Sequence, residues 1–408
     1  MKCRNCKSQL NHQFADLGST PLANSLLSSI KQLKSEKHYK LKILICNKCW
    51  LVQTLDQVKH SKIFNNDYVY FSSFSKYWLN HSRLFVDKAI KNFKLNENSF
   101  VVEVASNDGY LLQYFKNHSI PCLGIEPTKN TAAKSEEKGI MTIKEFFTES
   151  LAKKLRKKKY LADLIIANNV LAHVPDVKDF VKGFALLLKS NGVACFEFPH
   201  LYNLIKYKQF DTIYHEHFSY FSFISVNNIF KECGLKIIDV EKIQSHGGSL
   251  RIYAQRKDNS KIKINNRVKN LIDFEKKNGI NNLKLYLKFQ EKIDGVTNKF
   301  KKFIHKASAE NKKIIAYGAA AKGNTLLNYA EIKSDVIKYV VDLNPSKQNK
   351  FMPGSGIPIF EEKIIKEYRP DYIIILPWNL KDEIKSNLKY VRNWGAKFVT
   401  AIPKLDIS

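Results

Sequence analysis

Residues 101–112 read Val-Val-Glu-Val-Ala-Ser-Asn-Asp-Gly-Tyr-Leu-Leu: a short apolar run, a group of small and turn-forming residues, and the start of a second apolar pattern. This order predicts a strand, a tight turn and a helix, the unit from which open α/β sheets are built. Small ligands bind such sheets where the first strand meets its helix. The glycine pattern of dinucleotide-binding turns is absent, because Ala105 and Asn107 stand where glycines would be expected.

Apolar runs recur on both sides of this unit. The runs that follow it, at 122–125, 164–167 and 193–197, alternate with helical stretches, which is typical of a parallel, doubly wound sheet. A second alternation begins at 314–317 and continues through 339–341, 372–376 and 398–399. We therefore predict an α/β protein with two Rossmann-like domains.

Shifts in composition divide the chain into five parts. We expect a small cysteine-containing module over 1–60, an aromatic and helical linker or lid over 61–97, and the first α/β domain over 98–255. A lysine-rich helical connector follows over 256–310, and the second α/β domain covers 311–408. The first 60 residues have too little apolar bulk to predict a core of their own.

The composition indicates a folded protein in a reducing compartment. Of the 408 residues 44% are hydrophobic and 26% are charged, which argues against a disordered or collagen-like chain. No apolar run approaches the ~20 residues of a membrane helix, and no signal region follows Met1. Seven cysteines are too few for a disulfide framework at this length, so we expect a cytoplasmic protein without membrane insertion.

The net charge is extreme: 67 basic minus 38 acidic residues gives +29. A nucleic-acid partner, a small anionic substrate and plain lysine-rich usage could each account for it. The basic residues are dispersed and form no patch interleaved with aromatic residues, so no nucleic-acid partner is expected. A zinc-ribbon nucleic-acid-binding protein or an RNA/DNA methyltransferase remains the alternative to an enzyme that acts on a small substrate. A binding subunit without enzymatic activity is a third possible function.

Four of the cysteines form two Cys-x-x-Cys pairs separated by 39 residues; they are Cys3, Cys6, Cys46 and Cys49. Paired thiolates with this spacing are typical of zinc sites, because each pair presents two sulfurs to one tetrahedral ion. Four protein ligands leave no open position for a catalytic water. The pattern therefore predicts a structural Zn²⁺ that replaces part of the missing core. Two unrelated cysteine pairs are the alternative.

A cofactor site is predicted around the first strand. Glu126 ends the second strand 17 residues beyond Gly109, where a carboxylate can accept hydrogen bonds from two ribose hydroxyls. An acidic first strand, a small-residue turn and an acidic second strand fit S-adenosylmethionine better than NAD, since that cofactor has no phosphate. An ordinary sheet turn is the alternative. The candidate cofactor-binding residues are Glu103, Ala105, Asn107, Asp108, Gly109, Glu126, Pro127, Asn168 and Asn169.

Residues 210–222 carry the densest acid–base chemistry of the chain, with Tyr214, Glu216 and His217 among them. If this stretch is extended, Tyr214 and Glu216 point one way while His215 and His217 point the other. Histidine titrates near neutrality and suits a base that removes a proton next to a carbonyl. A second metal site and an aromatic core with satisfied histidines are the alternatives.

Further candidates lie at the predicted carboxyl edges of the two sheets. The candidate substrate-binding residues are His173, Arg251, Tyr317, Gly318, Lys322, Asn324, Asp342 and Lys347. Residues 318–325 depart from a phosphate loop, because Asn324 stands where its lysine should be, so a nucleoside triphosphatase is rejected. A helix start can still receive a diphosphate. Plain strand–helix turns, and a capping role for His173, are the alternatives.

Taken together, these motifs resemble the sugar C-methyltransferases that act on nucleotide-activated keto-deoxysugars. The similarity runs over the whole chain and rests on the cysteine pairs and on residues 18–24, 68–73, 103–109, 124–127, 214–219 and 317–324. It implies a zinc-binding module, a central S-adenosylmethionine domain and a carboxy-terminal Rossmann-like domain that helps to hold the nucleotide sugar.

The resemblance also implies a reaction. A base would remove the proton alpha to the ketone of a nucleotide-diphosphate-linked sugar, in surface polysaccharide or deoxysugar biosynthesis, and the enolate carbon would then take the methyl group. By match of motif, His217 would be the base, with Tyr214 and Glu216 as the enolate-stabilising and orienting groups. One of Tyr68 and Tyr70 would approach the sugar. The oligomeric state stays open, a monomer being one option.

Overall fold

The computed structural model describes residues 1–55, 58, 71–259 and 263–408. Its strands form three sheets. The strands are β1 (His12–Thr20), β2 (Tyr39–Ile45), β3 (Val52–Thr54), β4 (Val101–Val104), β5 (Cys122–Ile125), β6 (Thr142–Ile143), β7 (Ala162–Asn168), β8 (Leu188–Pro199), β9 (Ser219–Tyr220), β10 (Leu235–Ile243), β11 (Ser249–Arg256), β12 (Ile314–Tyr317), β13 (Val340–Val341), β14 (Ile359–Phe360), β15 (Tyr372–Ile375), β16 (Lys397–Thr400) and β17 (Asp406–Ile407).

The helices lie between these strands. The α-helices are α1 (Lys76–Phe93), α2 (Leu112–Asn117), α3 (Lys129–Glu137), α4 (Glu149–Lys157), α5 (Val177–Leu187), α6 (Leu201–Lys206), α7 (Phe223–Glu232), α8 (Asn266–Lys277), α9 (Leu283–Leu287), α10 (Phe289–Ala309), α11 (Ala321–Tyr329), α12 (Ile364–Tyr368) and α13 (Lys381–Asn387). Short 3-10 helices cover Ile30–Ser35, Ser72–Phe74, Leu171–His173, Phe210–Thr212, Ser245–Gly247, Trp378–Leu380 and Lys389–Trp394.

The central sheet has the strand order β10-β11-β8-β7-β4-β5-β6. From β4 the chain runs outward through β5 to β6, and then returns to place β7 on the other side of β4. The two directions separate between β4 and β7, and a crevice forms there beyond the carboxyl ends of the strands. The topology therefore places the ligand site at the turn that follows Val104.

The central sheet is mixed, whereas the sequence predicts a parallel one. β11 is antiparallel to both β10 and β8. The connection explains the difference, because only residues 244–248 separate β10 from β11, and a link this short can join antiparallel strands only.

The amino-terminal sheet is antiparallel, with the order β1-β2-β3-β9. Its fourth strand, β9, comes from the middle of the chain and pairs Tyr220 with Val52. The cysteine-containing module therefore contains a strand that directly follows the predicted acid–base stretch.

The third sheet has the order β14-β13-β12-β15-β16-β17 and is parallel except for its last strand. It packs with the amino-terminal sheet around one apolar cluster. Phe14 of β1 stacks on Phe289 of α10 with ring centroids 4.4 Å apart. The amino-terminal sheet thus buries its apolar face against a helix of the connector, which offsets the small core expected from its sequence.

Among the described helices, none combines the length and the apolar character that crossing a membrane would require.

Candidate active site

A cleft of about 660 Å³ lies at the carboxyl edge of the central sheet. Residues from all three parts of the fold line it, among them Asn24 of the amino-terminal module, Ala105 after β4 and Lys322 of α11. A volume of this size suits a small-molecule ligand of several hundred cubic ångströms.

The turn after β4 has the backbone of a glycine-rich loop without its glycines. Ala105, Asn107 and Gly109 have φ angles of 57°, 49° and 72°, all in the left-handed region. A Cβ on Gly109 would lie 2.6 Å from Ile140 Cδ1, so this position requires glycine. Ala105 and Asn107 line the cleft.

Residues before helix α1 hold this turn from outside. The Ser72 amide donates to Asn107 Oδ1 at 2.9 Å, and the Ser73 amide donates to Asp108 Oδ2 at 3.3 Å. Asp108 is buried and does not line the cleft. The predicted cofactor turn is thereby tied to the start of the aromatic helical segment.

Glu126 and Pro127 line the cleft beside the turn. One Glu126 oxygen accepts from the Asn107 amide at 3.0 Å and the other from the Thr128 amide at 2.9 Å. Burial raises the pKa of Glu126 above its ordinary value, although these hydrogen bonds to the carboxylate partly oppose that rise. The carboxylate is fixed in place next to the turn, where it can accept from ribose hydroxyls.

Glu103 of β4 lies deeper than the other cofactor candidates. It is fully buried and does not line the cleft. Burial raises its pKa well above the ordinary value, and the nearby Asp108 and Glu126 raise it further. Burial of Glu103 therefore favours its protonated form.

Asn168, the last residue of β7, and Asn169, which follows it, line the cleft as well. Asn169 has a φ of 54°, and neither its Oδ1 nor its Nδ2 has a hydrogen-bond partner among the described residues. A buried amide without partners is costly, so a ligand that pairs with it gains affinity.

These residues fit S-adenosylmethionine. The left-handed turn places Ala105 and Asn107 on the cleft wall, and Glu126 offers a carboxylate for the ribose. Asn168 Oδ1 and both polar atoms of the Asn169 side chain have no hydrogen-bond partner among the described residues. Phe146 and Phe147, which follow β6, line the same cleft and offer apolar surface for a purine. The sequence analysis missed this phenylalanine pair; its position after the third strand of the sheet was the available signal.

The acid–base residues occupy a turn. The His217 backbone amide donates to the Tyr214 backbone carbonyl oxygen at 2.9 Å. Residues 214–217 therefore form a turn and are not extended. Tyr214, Glu216 and His217 consequently line the cleft together. His215 is turned away and its Nε2 lies 3.2 Å from the Tyr39 oxygen. The expectation of alternating sides was wrong because the turn breaks the two-residue period.

The His217 ring is fixed in one tautomer. Its Nδ1 lies 2.8 Å from the Thr212 oxygen, and a carbonyl oxygen can only accept, so Nδ1 carries the proton. Nε2 then keeps its lone pair. Burial lowers the pKa of His217 well below its usual range, and the nearby His173 and Lys322 lower it further. The imidazole is neutral at physiological pH and able to take a proton.

Glu216 lies beside this ring with a perturbed carboxyl. Burial raises its pKa to about 7, opposed by a hydrogen bond from Asn24. The Asn24 Nδ2 donates to Glu216 Oε2 at 3.0 Å. The sequence analysis did not single out Asn24, although it lies within the Gly18–Asn24 motif quoted there.

Two further histidines line the cleft. His173 Nδ1 lies 2.8 Å from the backbone carbonyl oxygen of Glu216, and the His173 ring centroid is 4.7 Å from the His217 ring centroid. Burial lowers the pKa of His173 to about 4, and burial together with Lys322 does the same for His246. His246 was not predicted, and it packs edge-on against Trp78 of α1 with centroids 5.1 Å apart.

Lys322 brings a cation to the cleft from the third sheet. Its Nζ donates to Asn379 Oδ1 at 2.7 Å and lies 5.0 Å from the Trp378 ring centroid. Burial lowers its pKa, which the charge of Asp211 opposes. Burial also raises the pKa of Asp211 to about 6, and Trp378 Nε1 donates to this carboxylate at 2.7 Å.

Most of the other candidates of the third sheet do not line the cleft. Lys347 lines the cleft, but its Nζ donates to the Ala319 oxygen at 2.9 Å and lies 3.3 Å from Asp342 Oδ2. Tyr317 donates to Glu362 at 2.6 Å. Gly318, Asn324, Asp342 and Tyr317 do not line the cleft.

Arg251 also lies behind the cleft wall. Its guanidinium donates to Glu197 Oε2 at 2.9 Å, and His81 Nε2 lies 2.9 Å from the same oxygen. Burial raises the pKa of Glu197, but His81 and Arg251 outweigh it and hold this pKa at about 2. The sequence analysis missed Glu197 and His81, which carry no motif and meet only in the fold. Tyr68 and Tyr70 lie outside the described residues.

The four paired cysteines form one cluster. Their sulfur atoms all lie within 4.8 Å of one another, with Cys3 and Cys49 3.5 Å apart and Cys6 and Cys46 3.4 Å apart. A tetrahedral Zn²⁺ with Zn–S bonds of about 2.3 Å needs four sulfurs at this spacing. The donor set therefore fits zinc, as the sequence predicts.

Comparison with known proteins covers the whole chain. Residues 77–240 match a family model described as "Methyltransferase domain", residues 244–403 one described as "C-methyltransferase C-terminal domain", and residues 3–64 one described as "Putative zinc binding domain". The chain is 31% identical over 403 residues to C-methyltransferase NovU of Streptomyces niveus, covering 99% of this chain and 96% of that protein.

Two of the similar solved structures resemble the chain over less than half its length. Magnesium protoporphyrin IX methyltransferase (ChlM) from Synechocystis PCC 6803 with bound SAH is 13% identical with a TM-score of 0.35, over 44% of this chain and 82% of that chain. The PH0226 protein from Pyrococcus horikoshii OT3 is 15% identical with a TM-score of 0.38, over 46% of this chain and 95% of that chain.

Proposed function

The chain belongs to the S-adenosylmethionine-dependent C-methyltransferases, and from this premise we propose that it methylates the carbon alpha to the ketone of a nucleotide-diphosphate-linked deoxysugar. Surface polysaccharide or deoxysugar biosynthesis would use such a product. In this proposal residues 98–255 form the cofactor domain and residues 311–408 help to hold the nucleotide sugar.

One observation carries the proposal. The cofactor turn, represented by Ala105 and Glu126, and the acid–base residues Glu216 and His217 line the same cleft. A base beside an electrophilic methyl group is what methylation of an acidic C–H bond requires, since carbon becomes nucleophilic only after losing its proton. A methyltransferase that acts on oxygen or nitrogen needs no carbon acid to be ionised.

The proton-transfer step follows from the state of His217. Its Nε2 lone pair takes the proton alpha to the ketone, and the electron pair of the C–H bond moves to give an enolate. The hydrogen bond from Nδ1 to the Thr212 oxygen holds the ring and supports the imidazolium that forms. The Tyr214 and His217 ring centroids are 4.1 Å apart. In this proposal the Tyr214 hydroxyl donates a hydrogen bond to the enolate oxygen.

When bound, S-adenosylmethionine would supply an electrophilic methyl group on its sulfonium sulfur, and that sulfur would keep the electrons of the S–C bond and leave as the thioether of S-adenosylhomocysteine. Ala105, Asn107, Glu126, Asn168 and Asn169 would hold the cofactor. The residues around the cofactor turn would align the enolate carbon with the methyl group and exclude water. The two reacting carbon atoms would then be held close together in the orientation that methyl transfer requires. Lys322 adds a positive charge on the side of the third sheet, where it can stabilise the negative charge of the diphosphate or of the enolate oxygen.

A screen of nucleotide sugars tests this function. Thermal unfolding of the protein would be measured with S-adenosylhomocysteine and each nucleotide-linked ketosugar, followed by incubation with S-adenosylmethionine and mass analysis of stabilising compounds. We expect a ketosugar to gain one methyl group on carbon. Methylation confined to oxygen or nitrogen acceptors would contradict the proposal.

A further inference from the structure

We infer that the zinc module braces the acid–base turn, with Arg4 and Thr54 as positioning residues for His217. The inference rests on the proposed function only for the role of His217 as the base. How the zinc module holds residues 214–220 in place does not depend on that function.

The acid–base turn continues directly into the sheet of the zinc module. β9 pairs with β3, Tyr220 facing Val52. The Thr54 amide donates to the Phe218 oxygen at 3.1 Å, and Thr54 Oγ1 donates to the His217 oxygen at 3.3 Å. The backbone of the catalytic histidine is therefore bonded to a strand of the zinc module.

Arg4 connects the metal ligands to the same backbone. It lies between Cys3 and Cys6 in sequence, is buried, and its Nη1 donates to the Phe218 oxygen at 2.9 Å. Its guanidinium carbon also lies 5.5 Å from the Phe218 ring centroid. A charged donor fixed within a metal knuckle makes a stronger hydrogen bond than a neutral donor on a flexible chain.

Gln53 closes the path from the sulfurs to β3. The Arg4 amide donates to Gln53 Oε1 at 2.9 Å, and Gln53 Nε2 lies 3.3 Å from Cys3 Sγ. Gln53 is fully buried, so both ends of its amide are used inside the protein. A change at the cysteines thus moves the groups that hold residues 217 and 218.

The same module reaches the carboxylate of the turn through Asn24, which donates to Glu216 as described above. From the other side the 3-10 helix that follows β7 contributes the Ala172 oxygen, which accepts from the Phe218 amide at 2.8 Å. The cofactor turn has different supports, namely Ser72, Ser73 and Glu126. Loss of zinc should therefore loosen the acid–base turn and leave the cofactor turn in place.

Hydrogen exchange measured by mass spectrometry tests this brace in the full chain. Zinc would be removed with a chelator, and peptides covering 214–221 and 101–112 would be compared with those of the zinc-loaded protein. We expect exchange in 214–221 to rise about tenfold, because local opening follows the bonds that are lost. Exchange in 101–112 and the affinity for S-adenosylhomocysteine should stay the same. Equal exchange in 214–221 with and without zinc would overturn the inference, as would equal loosening of both segments.

Single substitutions test the two positioning residues while zinc is bound. Arg4→Met and Thr54→Val should each speed exchange in 214–221, and Arg4→Lys should restore part of the protection. Lys48→Met is the matched control, since Lys48 is exposed between the other two zinc ligands. The zinc content of each variant is measured alongside. Unchanged exchange in 214–221 for Thr54→Val, whose Oγ1 donates to the His217 backbone oxygen, would refute the brace even if Arg4→Met loses metal.

This test needs no methyl acceptor, so it is independent of the sugar screen. With an acceptor in hand, Thr54→Val should lower kcat about tenfold and leave KM unchanged, since positioning of the base acts on the transition state. A purely structural role would instead lower the fraction of active protein and leave the kcat of that fraction intact.

Discussion

At the scale of the residue, burial decides the protonation of the acid–base turn. Glu216 and His217 are adjacent, yet burial raises the pKa of one to about 7 and lowers the pKa of the other well below its usual range. The same desolvation acts on both, because it disfavours whichever form is charged. The sequence shows both residue types but cannot show which side chains lose their water.

Replacing His217 tests its role as the base. His217→Ala should lower methyl transfer and solvent-deuterium exchange at the alpha carbon by about 10²–10⁴-fold, because the proton acceptor is gone. Affinity for S-adenosylhomocysteine should be retained. His215→Ala is the control, since His215 sits in the same turn and contacts Tyr39 instead of lining the cleft. Full exchange activity in His217→Ala would refute the assignment.

Glu216 should make stability depend on pH. The folded pKa of about 7 exceeds the ordinary value of 4.5, so the folded state holds the proton more tightly than the unfolded chain. Its contribution is full below pH 4.5 and is lost as the pH rises through 7, a loss of about 3 kcal/mol. Glu216→Gln should therefore flatten the decline in unfolding free energy between pH 5 and 8.

Denaturant unfolding of Glu216→Gln, the parent protein and Glu97→Gln at both pH values measures this slope. Glu97 is exposed, and its substitution should leave the slope unchanged. Asp211, with a pKa raised to about 6, keeps part of the decline in every variant. Identical slopes for Glu216→Gln and the parent would show that the carboxyl is ionised without cost.

At the scale of the element, short connections set the geometry of the cleft. The five residues between β10 and β11 make a hairpin, and Gly247 within it lies against Trp378 of the 3-10 helix that follows β15. Gly247 has a φ of 85°, and a Cβ there would lie 2.3 Å from Trp378 Cη2. The approach of the two domains at this point depends on the absence of a side chain.

Gly247→Ala should therefore destabilise the protein by about 3 kcal/mol, from left-handed strain plus overlap with Trp378. Gly395→Ala is the matched control: Gly395 has a φ of 81° and nothing within 4 Å of the added Cβ, so only about 1 kcal/mol of strain is expected. Midpoints of urea unfolding compare the two. Equal losses would mean that the Trp378 ring moves aside freely.

At the scale of the whole molecule, the net charge of +29 does not describe the cleft. The basic side chains that line it are Lys322 and Lys347, whereas Glu126, Asp176, Asp179 and Glu216 line it with carboxyls. A polyanion would meet these carboxyls at the site of chemistry. The excess lysine lies on exposed faces, which agrees with lysine-rich usage more than with nucleic-acid recognition.

The metal is the second property of the whole molecule. We expect about one zinc per purified chain by elemental analysis, since the four sulfurs form a closed tetrahedral set. Cys49→Ser should lower that content and the temperature of unfolding, because metal binding contributes to folding. Cys122→Ser, at an isolated cysteine, should keep the zinc. Metal well below one per chain in the parent protein would contradict the site.

The sequence by itself determined the four-cysteine cluster, the strand–turn–helix at 101–112 and the order of the two α/β domains, because these depend on local spacing and hydrophobic period. It could not determine the turn at 214–217, the Glu197–His81–Arg251 cluster or the insertion of β9 into the amino-terminal sheet. The cluster and the strand insertion join residues that are distant in the chain, and a distant residue, Thr54, bonds to the backbone of the turn. Only tertiary packing brings them together, and burial there sets the charges on which the chemistry depends.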